Sequence, residues 1–433
     1  MSIQQNFPAI SPSLNLNFAR SKTLDPRITF SRTSTATRVN EQGLVEVVSA
    51  DIPRFDHEYE NGVIKSLGLL VEEERSNLLT YSADFNNWSK IRSYISGVNV
   101  ISPDGTESAN KIVEDNSLGT HYVRKLPTVS ADAVCAISVY VKSAQRSQFA
   151  IHTYGSNGWN ASLTAIYDLP TGNITGTNAE NCTINAVGNG WYRATYIATK
   201  NSTSGTANVD FYTALNGNVS YQGDNSSGIY LWGAQLEEGA FPTSYIPTTA
   251  STATREPDRA VIEGSNFTDI FNTNFNNFSM FVNYDNTDTD DGTNYSIIQF
   301  WGESTNYDNR VEFFKDNASP YHIETRAFGG GSAIFSNGLL NASSKAATQK
   351  LATSWSVNYS TSSGAYRRWA FSFSGESVDV VNDNVGTTVP SLTRIGFGIN
   401  PTRTDFDGGK IYFKQISLYS NTLTDSQLQT LTK

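Results

Sequence analysis

The chain has 433 residues and a formal net charge of −10, from 41 acidic and 31 basic residues. This length exceeds one ordinary hydrophobic core, because domains commonly hold roughly 100 to 200 residues, so at least two domains are expected. The acidic balance provides no positive field to follow a phosphate backbone, which argues against nucleic acid as a partner. The sequence has no run of about 18 apolar residues to span a bilayer, so membrane insertion is not expected.

The composition favours β-structure over helix. The chain has 23 Phe, 21 Tyr and 7 Trp but only 2 Met. Aromatic residues suit pleated strands, and the abundant Thr, Ser, Asn and Gly suit strands and polar turns. The composition and the strand pattern together predict an all-β protein of tandem β-sandwich (jelly-roll) domains, with an extended N-terminal segment and one short C-terminal helix.

Residues 1–79 differ from the rest of the chain. Their short apolar triplets are separated by Pro, Gly and charges, which leaves too few alternating positions for a self-sufficient sandwich. We predict short strands and extended chain that dock on the following domain, on another copy of the chain or on a larger assembly. The first 20 residues lack the pattern of a secretory signal, so synthesis in a cytoplasm without secretion is expected.

Residues 80–257 show repeated alternation of apolar and polar side chains, as in CAISVYVKS, WYRATYIATK and GIYLWGAQLE. Short strands separated by Gly, Asn, Asp and Ser turns predict a sandwich or jelly roll, which ends in the linker PTTASTATREPD. Cys135 and Cys182 both lie in strand-like runs. We predict free, buried thiols, with a single disulfide between them as the alternative.

Residues 258–433 contain a second series of strand patterns, including FSMFVNYD, SIIQFWGE and KIYFKQISLYS. They are numerous enough for another complete sandwich. A helical period occurs only in LTDSQLQTLTK, where Thr424 and Gln427 have the spacing of a capping box. The sequence therefore predicts one terminal helix after the last strand.

Three short patterns follow one another near the N-terminus: F-x-R-x-S/T-x-A-T, P-R-F-D and G-L-L-x-E-x-x-R-x-N-L-L. Together they resemble an N-terminal pattern of tailed-phage structural proteins, particularly head-fibre, spike and tail-fibre proteins. The resemblance implies that residues 1–79 attach to other virion proteins or to sister chains, and that the protein is made in the host bacterial cytoplasm and displayed on the virion surface. It also implies a homo-oligomer, since such appendages are often trimers.

Two further resemblances cover the sandwiches. The motifs GNGWYRATYIATK and GIYLWGAQLEEGAFPTSYIPT resemble the carbohydrate-binding-module jelly rolls of the same phage proteins. The C-terminal stretch KIYFKQISLYSNTLTDSQLQTLT resembles concanavalin A-like or laminin-G-like domains. These likenesses imply sandwich folds and a host cell-surface glycan as a partner.

A sugar site needs an exposed aromatic ring and nearby polar groups for the hydroxyls. Two turn-rich stretches, HTYGSNGWNAS and FWGESTNYDNR, combine such residues, although a plain exposed hairpin is the alternative for each. The predicted glycan-binding residues are Tyr154, Asn157, Trp159 and Asn160 in the first stretch and Trp301, Tyr307 and Asp308 in the second. The strand tryptophans Trp191 and Trp232 are instead predicted to pack in the core.

Two acidic loops offer oxygen ligands of the kind that Ca²⁺ prefers. They contain Asp288 and Asp290 in YDNTDTDDGTNY, and Asp405 and Asp407 in TRTDFDGGK. Neither loop has the spacing of an EF-hand. A structural Ca²⁺ ion is one hypothesis for them, and a solvated turn is the other; no other cofactor is expected.

No sequence motif singles out an enzyme. The four histidines are scattered, and G-x-S-x-G, H-E-x-x-H and G-x-x-x-x-G-K-[ST] are all missing. We therefore predict adhesion to glycans without turnover. Three alternatives remain open: a polysaccharide depolymerase, which needs only two carboxylates about 5 to 10 Å apart; a capsid-decorating architectural protein without receptor binding; and a non-viral glycan-binding module, which leaves the N-terminal motifs unexplained.

Overall fold

The computed structural model describes residues 10–97, 100–177, 179–203, 205–271, 277–286, 295–302, 308–315, 322–336, 340–341, 349–361, 364–375, 377–384, 390–398 and 409–433. In these ranges the chain is mainly β-strand, which confirms the predicted all-β class. Besides the predicted C-terminal helix it has two short α-helices that the sequence pattern did not predict, Phe18–Ser21 and Ser265–Phe271. None of the helices described is long and apolar enough to cross a membrane.

The strands fall into three regions of the chain. Strands β1 to β7 span Leu14–Asn17, Thr29–Ser31, Ala36–Val39, Val45–Val48, Arg54–Glu60, Val63–Glu72 and Arg75–Asn77. Strands β8 to β24 span Ser89–Ile91, Ser93–Ile95, Asn110–Glu114, Leu118–Thr120, Tyr122–Lys125, Thr128–Val129, Val134–Ser143, Gln148–Thr153, Leu163–Asp168, Ile174–Gly176, Cys182–Gly188, Trp191–Thr199, Gly205–Thr206, Val209–Ala214, Ser220–Gln222, Gly228–Glu238 and Ala253–Arg255. Strands β25 to β36 span Arg259–Glu263, Asn277–Asn286, Tyr295–Trp301, Arg310–Lys315, His322–Gly329, Ser332–Ser336, Leu340–Asn341, Gln349–Thr361, Gly364–Phe373, Asp379–Asn384, Arg394–Phe397 and Lys410–Tyr419. Helices α1, α2 and α3 span Phe18–Ser21, Ser265–Phe271 and Asp425–Thr432.

The middle region forms a sandwich of two six-stranded antiparallel sheets. Their strand orders are β18-β19-β14-β23-β10-β9 and β17-β16-β15-β21-β12-β8. Because side chains alternate along a strand, Phe149 and Ile151 of β15 enter the core, while Ala150 and His152 lie on the outer face of the second sheet. This first sandwich matches the alternation seen in the sequence.

Trp88, Trp191 and Trp232 are all buried, but Trp191 and Trp232 do not lie in the sandwich core that was predicted for them. Trp88 lies between the sheets, stacked on Phe211 at 5.6 Å between ring centroids. Trp191 and Trp232 lie on the outer face of the first sheet, where Val45 of the β3–β4 hairpin packs against them. The N-terminal region thus covers apolar surface of the first sandwich.

Both cysteines of the first sandwich are free and buried. Burial raises the pKa of the Cys135 thiol to about 12 and that of the Cys182 thiol to about 11. Since the thiolate is the reactive form, both side chains behave as small apolar groups at neutral pH.

The last region forms a second sandwich that incorporates the N-terminal strands. One sheet has the order β34-β33-β32-β26-β36-β6-β5, with β1 also paired to β36, and the other has the order β2-β25-β35-β27-β28-β29-β30, with β31 paired to β29. Leu69 pairs with Phe413, and Leu14 pairs with Leu418. The segment 1–79 was predicted to dock on the following domain, on another chain or on a larger assembly. Its described strands lie mainly in the C-terminal sandwich, because β26 pairs with one edge of β36 and β1 and β6 pair with the other.

The C-terminal helix α3 follows the second sandwich and begins with the predicted capping box. The backbone N–H of Thr424 donates to the Gln427 side chain at 2.8 Å, and the Gln427 backbone N–H donates back to the Thr424 hydroxyl at 3.4 Å. Leu428 and Leu431 are buried against the sheet. Local sequence thus defines both the start and the apolar face of this helix.

A buried ion-pair network joins the N-terminal strands to both sandwiches. Asp258 accepts a hydrogen bond from Arg32 at 2.9 Å and a second one from Arg54. The Glu72 carboxylate lies 2.8 Å from Arg54 and accepts from the Ser244 hydroxyl at 2.6 Å. The four charged side chains have no exposed surface. Arg255 and Lys410 also lie 3.5 and 3.8 Å from the Glu72 carboxylate. Loss of either carboxylate would therefore leave buried positive charge without compensation, which is strongly destabilising.

The three N-terminal motifs supply this network and the contacts beside it. Arg32 comes from the first motif, Arg54 from the second and Glu72 from the third. In the third motif, Gly68 has a φ of 93° and lies so close to the Phe413 backbone that a side chain would clash. Asn77 of the same motif donates to the carbonyls of residues 234 and 246 and accepts from the N–H groups of residues 79 and 236. These motif residues therefore hold the chain together internally.

Candidate functional site

The outer face of the second sheet of the first sandwich combines aromatic and polar side chains. Neighbouring strands place Tyr122 beside Tyr212, and Arg124 beside Asp210. Because His152 pairs with Asp210 across the other edge of β21, the polar row continues over three strands. We call the surface formed by Tyr122, Arg124, His152, Tyr154, Asp210 and Tyr212 the aromatic face.

The rings of the aromatic face support one another. Tyr122 and Tyr212 stack with 4.3 Å between centroids and an interplanar angle of 22°. Tyr154 places its hydroxyl 3.0 Å from that of Tyr212 and meets the His152 ring edge-on at 4.1 Å. Tyr212 is buried beneath these neighbours, while Tyr154 and His152 are half-buried. The face therefore offers ring surface whose orientation is fixed by packing.

Arg124 supplies the positive charge of the aromatic face. Its guanidinium donates two hydrogen bonds to the buried Asp210 carboxylate, at 2.7 and 2.6 Å. This bidentate pairing raises the pKa of Arg124 above its usual range. The guanidinium also lies 5.1 Å from the centroid of Tyr122 and 5.5 Å from that of Tyr154, which is within cation–π range. Its orientation is thus set before any ligand arrives.

The accessible part of this face is formed by Tyr154, His152 and Arg124, since Tyr122 is 8% and Tyr212 1% exposed. Among the described residues, the partly buried apolar side chains packed on its Tyr122–Tyr212 cluster are Ile91, from the same sheet, and Val219, from a loop. A sheet surface with rings, a hydroxyl and a guanidinium can stack on the apolar side of a sugar ring and satisfy its hydroxyls. The arrangement suits binding and contains no pair of free carboxylates.

His152 is expected to be neutral on this surface. Burial, reinforced by the charge of Arg124, lowers the pKa of His152 to about 4. The ordinary value is 6.5, so the unfolded chain takes up this proton first as the pH falls. The stability contributed by neutral His152 is therefore present above pH 6.5 and is lost between about pH 6.5 and 4.

A titration followed by NMR tests this assignment. We expect the ring proton resonance of His152 to have its midpoint near pH 4, and the resonance is identified by its loss in His152→Gln. Ligand binding at this face is expected to be insensitive to pH between 7 and 8. A midpoint at or above 6.5 would show that the ring is not desolvated as described.

The first group of predicted glycan residues lies in the turn after β15, which leaves some of their side chains accessible and buries one of them. Tyr154 joins the aromatic face, and Asn157 and Asn160 are exposed. Trp159 is only 2% exposed and donates its indole N–H to the Asn208 carbonyl at 2.7 Å. Trp159 therefore packs the core and has no ring face available for a sugar, because the turn folds inward at this position.

The second predicted group is not assembled into a surface by the described residues. Trp301 is 6% exposed at the end of β27, where its ring belongs to the interior. Asp308 is half-buried, and its backbone carbonyl accepts from Gly331 at 3.0 Å. Tyr307 lies outside the described residues. Burial of Trp301 removes the stacking platform that was expected of it.

The predicted Ca²⁺ ligands Asp288, Asp290, Asp405 and Asp407 lie outside the described residues. In the part of the chain that the structure describes, no group of three or more His, Cys, Asp or Glu side chains is placed to hold a metal. The Ca²⁺ hypothesis therefore stays a prediction for those two loops.

Sequence reasoning missed most of the aromatic face. Tyr122 and Arg124 occur two residues apart in β12, as do Asp210 and Tyr212 in β21. This spacing puts the two residues of each pair on the same side of their strand. Polar or aromatic residues at alternate strand positions were therefore the sequence signal that could have identified this face. Only sheet pairing shows that the two strands are neighbours.

No protein-family model and no curated protein match the chain. Among solved structures, the CBM40 of the Ruminococcus gnavus IT-sialidase bound to alpha2,3 sialyllactose is 14% identical, over 36% of this chain and 83% of that one, with a TM-score of 0.29. A Trypanosoma rangeli sialidase in complex with the inhibitor DANA is 9% identical, over 88% and 77% of the two chains, with a TM-score of 0.29. The GH43 BlXynB protein from Bacillus licheniformis is 11% identical, over 94% and 100%, with a TM-score of 0.24. Similarity at this level assigns no function to the chain.

Proposed function

We propose that this chain is a non-catalytic glycan-binding protein that uses the aromatic face of its first sandwich. The observation that carries the proposal is the combination of half-buried Tyr154 and His152 with the preoriented guanidinium of Arg124. Rings stack on the apolar side of a sugar, and the guanidinium N–H groups that do not bond to Asp210 can donate to its hydroxyl groups. Preorientation by Asp210 reduces the entropy lost on binding.

The proposed setting is the surface of a tailed-phage particle, as a fibre, spike or head-decoration subunit. The N-terminal motifs support it through the resemblance described above. Since their central residues are buried, contact with virion proteins or sister chains would use exposed positions of residues 1–79, among them Val47, Ile52 and Val63. A homotrimer would place several weak sugar sites together and raise the overall avidity for a host-cell glycan.

The direct test is a glycan array probed with the full chain, followed by affinity measurements on any glycan that binds. Tyr154→Ala is expected to weaken binding about tenfold, equivalent to about 1.4 kcal/mol. Tyr154→Phe keeps the ring and should retain most of the affinity. Tyr94→Ala is the matched control, because Tyr94 is 40% exposed on the other sheet of the sandwich.

Three results would contradict the proposal. Failure of the full chain to bind any glycan would remove the function, and equal losses in the Tyr154→Ala and Tyr94→Ala variants would remove the site. Release of reducing ends from host polysaccharide would favour the depolymerase alternative.

The particle setting has its own test. Immunogold electron microscopy with an antibody against residues 80–433 should label the head or tail of purified particles. Labelled particles without glycan or host-cell binding would favour an architectural role, and unlabelled particles would favour a free glycan-binding protein.

A further inference from the structure

A polar cleft opens beside the aromatic face, at one end of the first sandwich. Its volume is about 660 Å³, and its lining includes Arg124, Leu126, Asn157, Lys200 and Thr203. Leu126 is 54% exposed at the cleft, and Asn157 is also exposed. Arg124 belongs to both surfaces, so the cleft continues from the aromatic face.

The cleft is formed by two segments that hydrogen-bond to each other. The turn after β15 meets the loop after β19 through Asn160, whose N–H donates to the Thr199 carbonyl at 3.0 Å, and through Asn201, whose N–H donates to the Gly158 carbonyl at 3.0 Å. Gly158 has a φ of 103°, and a side chain there would clash with the Thr206 backbone. These contacts fix the shape of the cleft without a ligand.

Lys200 carries a positive charge at this cleft that no carboxylate compensates in the described structure. The side chain is only 1% exposed. Its ammonium donates to the Asn201 side chain at 2.8 Å and to the Thr203 carbonyl, which are both neutral acceptors. None of the ion pairs found among the described residues includes Lys200. An ammonium can donate three hydrogen bonds, and the two recorded here go to neutral groups, so the charge has no counter-charge among its hydrogen-bond partners.

The other cation of the cleft is already neutralised. Arg124 is paired with Asp210 through two hydrogen bonds, which leaves the charge of Lys200 as the excess. A buried charge without a counter-charge is unfavourable, and a bound anion would relieve that cost. The single excess charge matches a monoanion.

We infer that the cleft binds the anionic group of an acidic polysaccharide, with a uronic acid carboxylate on the Lys200 ammonium. This inference rests on the proposed glycan-binding function and adds the class of sugar. Asn157 lies where it can bond to hydroxyls of the same sugar unit, and Leu126 offers apolar contact. A phosphodiester within a glycan carries the same single charge, so both sources are included in the test.

The test measures binding of the full chain to three probes: an oligogalacturonate, the same oligosaccharide after carboxyl reduction, and a phosphodiester-linked glycan. We expect the carboxylated probe to bind about tenfold or more tightly than its reduced form, with the preference decreasing as salt is added. Lys200→Met keeps the apolar stem and should abolish the preference. Lys90→Met is the control, because Lys90 is exposed on the same sandwich.

The outcomes separate this inference from the proposed function. Equal binding of the carboxylated and reduced probes, sensitive to Tyr154→Ala, would overturn the acidic-sugar inference and leave glycan binding intact. Preference for the phosphodiester probe over the carboxylated one would overturn the uronic acid assignment. Binding of none of the probes, and of no glycan on the array, would overturn both. The comparison of probes on the unmodified chain holds even where Lys200→Met does not fold.

Discussion

Replacing Asp258 with Asn is expected to lower the free energy of unfolding by about 3 to 5 kcal/mol. The substitution preserves the shape of the side chain but removes the charge that compensates Arg32 and Arg54. Both guanidinium groups then remain buried, and the new amide presents a donor to other donors. The substitution also weakens the 2.9 Å hydrogen bond that the Glu72 backbone N–H donates to the Asp258 carboxylate. Denaturant unfolding followed by tryptophan fluorescence measures the change.

The matched control for this variant is Glu263→Gln. Glu263 is paired with Arg394 at 3.5 Å, but its side chain is 47% exposed. Exposed pairs contribute about 0 to 1 kcal/mol, so this variant should unfold close to the wild type. Equal, small effects of the two substitutions would show that the buried network does not contribute as described.

Replacing Leu69 with Ala is expected to destabilise the C-terminal sandwich by about 2 to 5 kcal/mol, although residue 69 lies near the N-terminus. Leu69 is fully buried in the core cluster of that sandwich and pairs with Phe413. Hydrogen exchange should become faster at the amides of β26 and β36, which share its sheet. The distance in sequence makes this a strict test of the strand order.

Val63→Ala on the same strand is the control. Val63 is 57% exposed, so its truncation leaves no cavity and should change the unfolding free energy by about 0.5 kcal/mol or less. If Leu69→Ala instead accelerated exchange only within residues 10–79, the N-terminal strands would form a separate unit and the described sheet would be wrong.

Local patterns were sufficient to predict the all-β class, the two sandwiches and the terminal helix. Alternation in WYRATYIATK and the capping residues Thr424 and Gln427 act over a few residues, so they can be recognised without the structure. The place of residues 1–79 could not be predicted in this way. The pairing of Leu14 with Leu418 depends on which sheet edge is free, and that is decided by the whole fold.

The candidate site was predictable only in part. Tyr154 was identified because a glycine- and asparagine-rich turn surrounds it, and the same reasoning failed for Trp159, whose turn folds inward. The excess charge of Lys200 was not visible in the sequence. Its significance depends on burial and on the neutral partners Asn201 and Thr203, which are properties of the folded loop.

The sheet that pairs β6 with β36 joins two strands that the ribosome synthesises far apart in time. The ribosome completes β6 at residue 72 and reaches β36 at residue 410, so at about 5 to 20 residues per second roughly 20 to 70 s separate them. In that interval Leu69 has its β5 neighbour but lacks its β36 partner. The middle sandwich can meanwhile close around a core drawn from residues 79–236. We therefore expect the first sandwich to fold before the second, and the apolar strands of residues 10–79 to be the part open to aggregation or chaperone binding during translation.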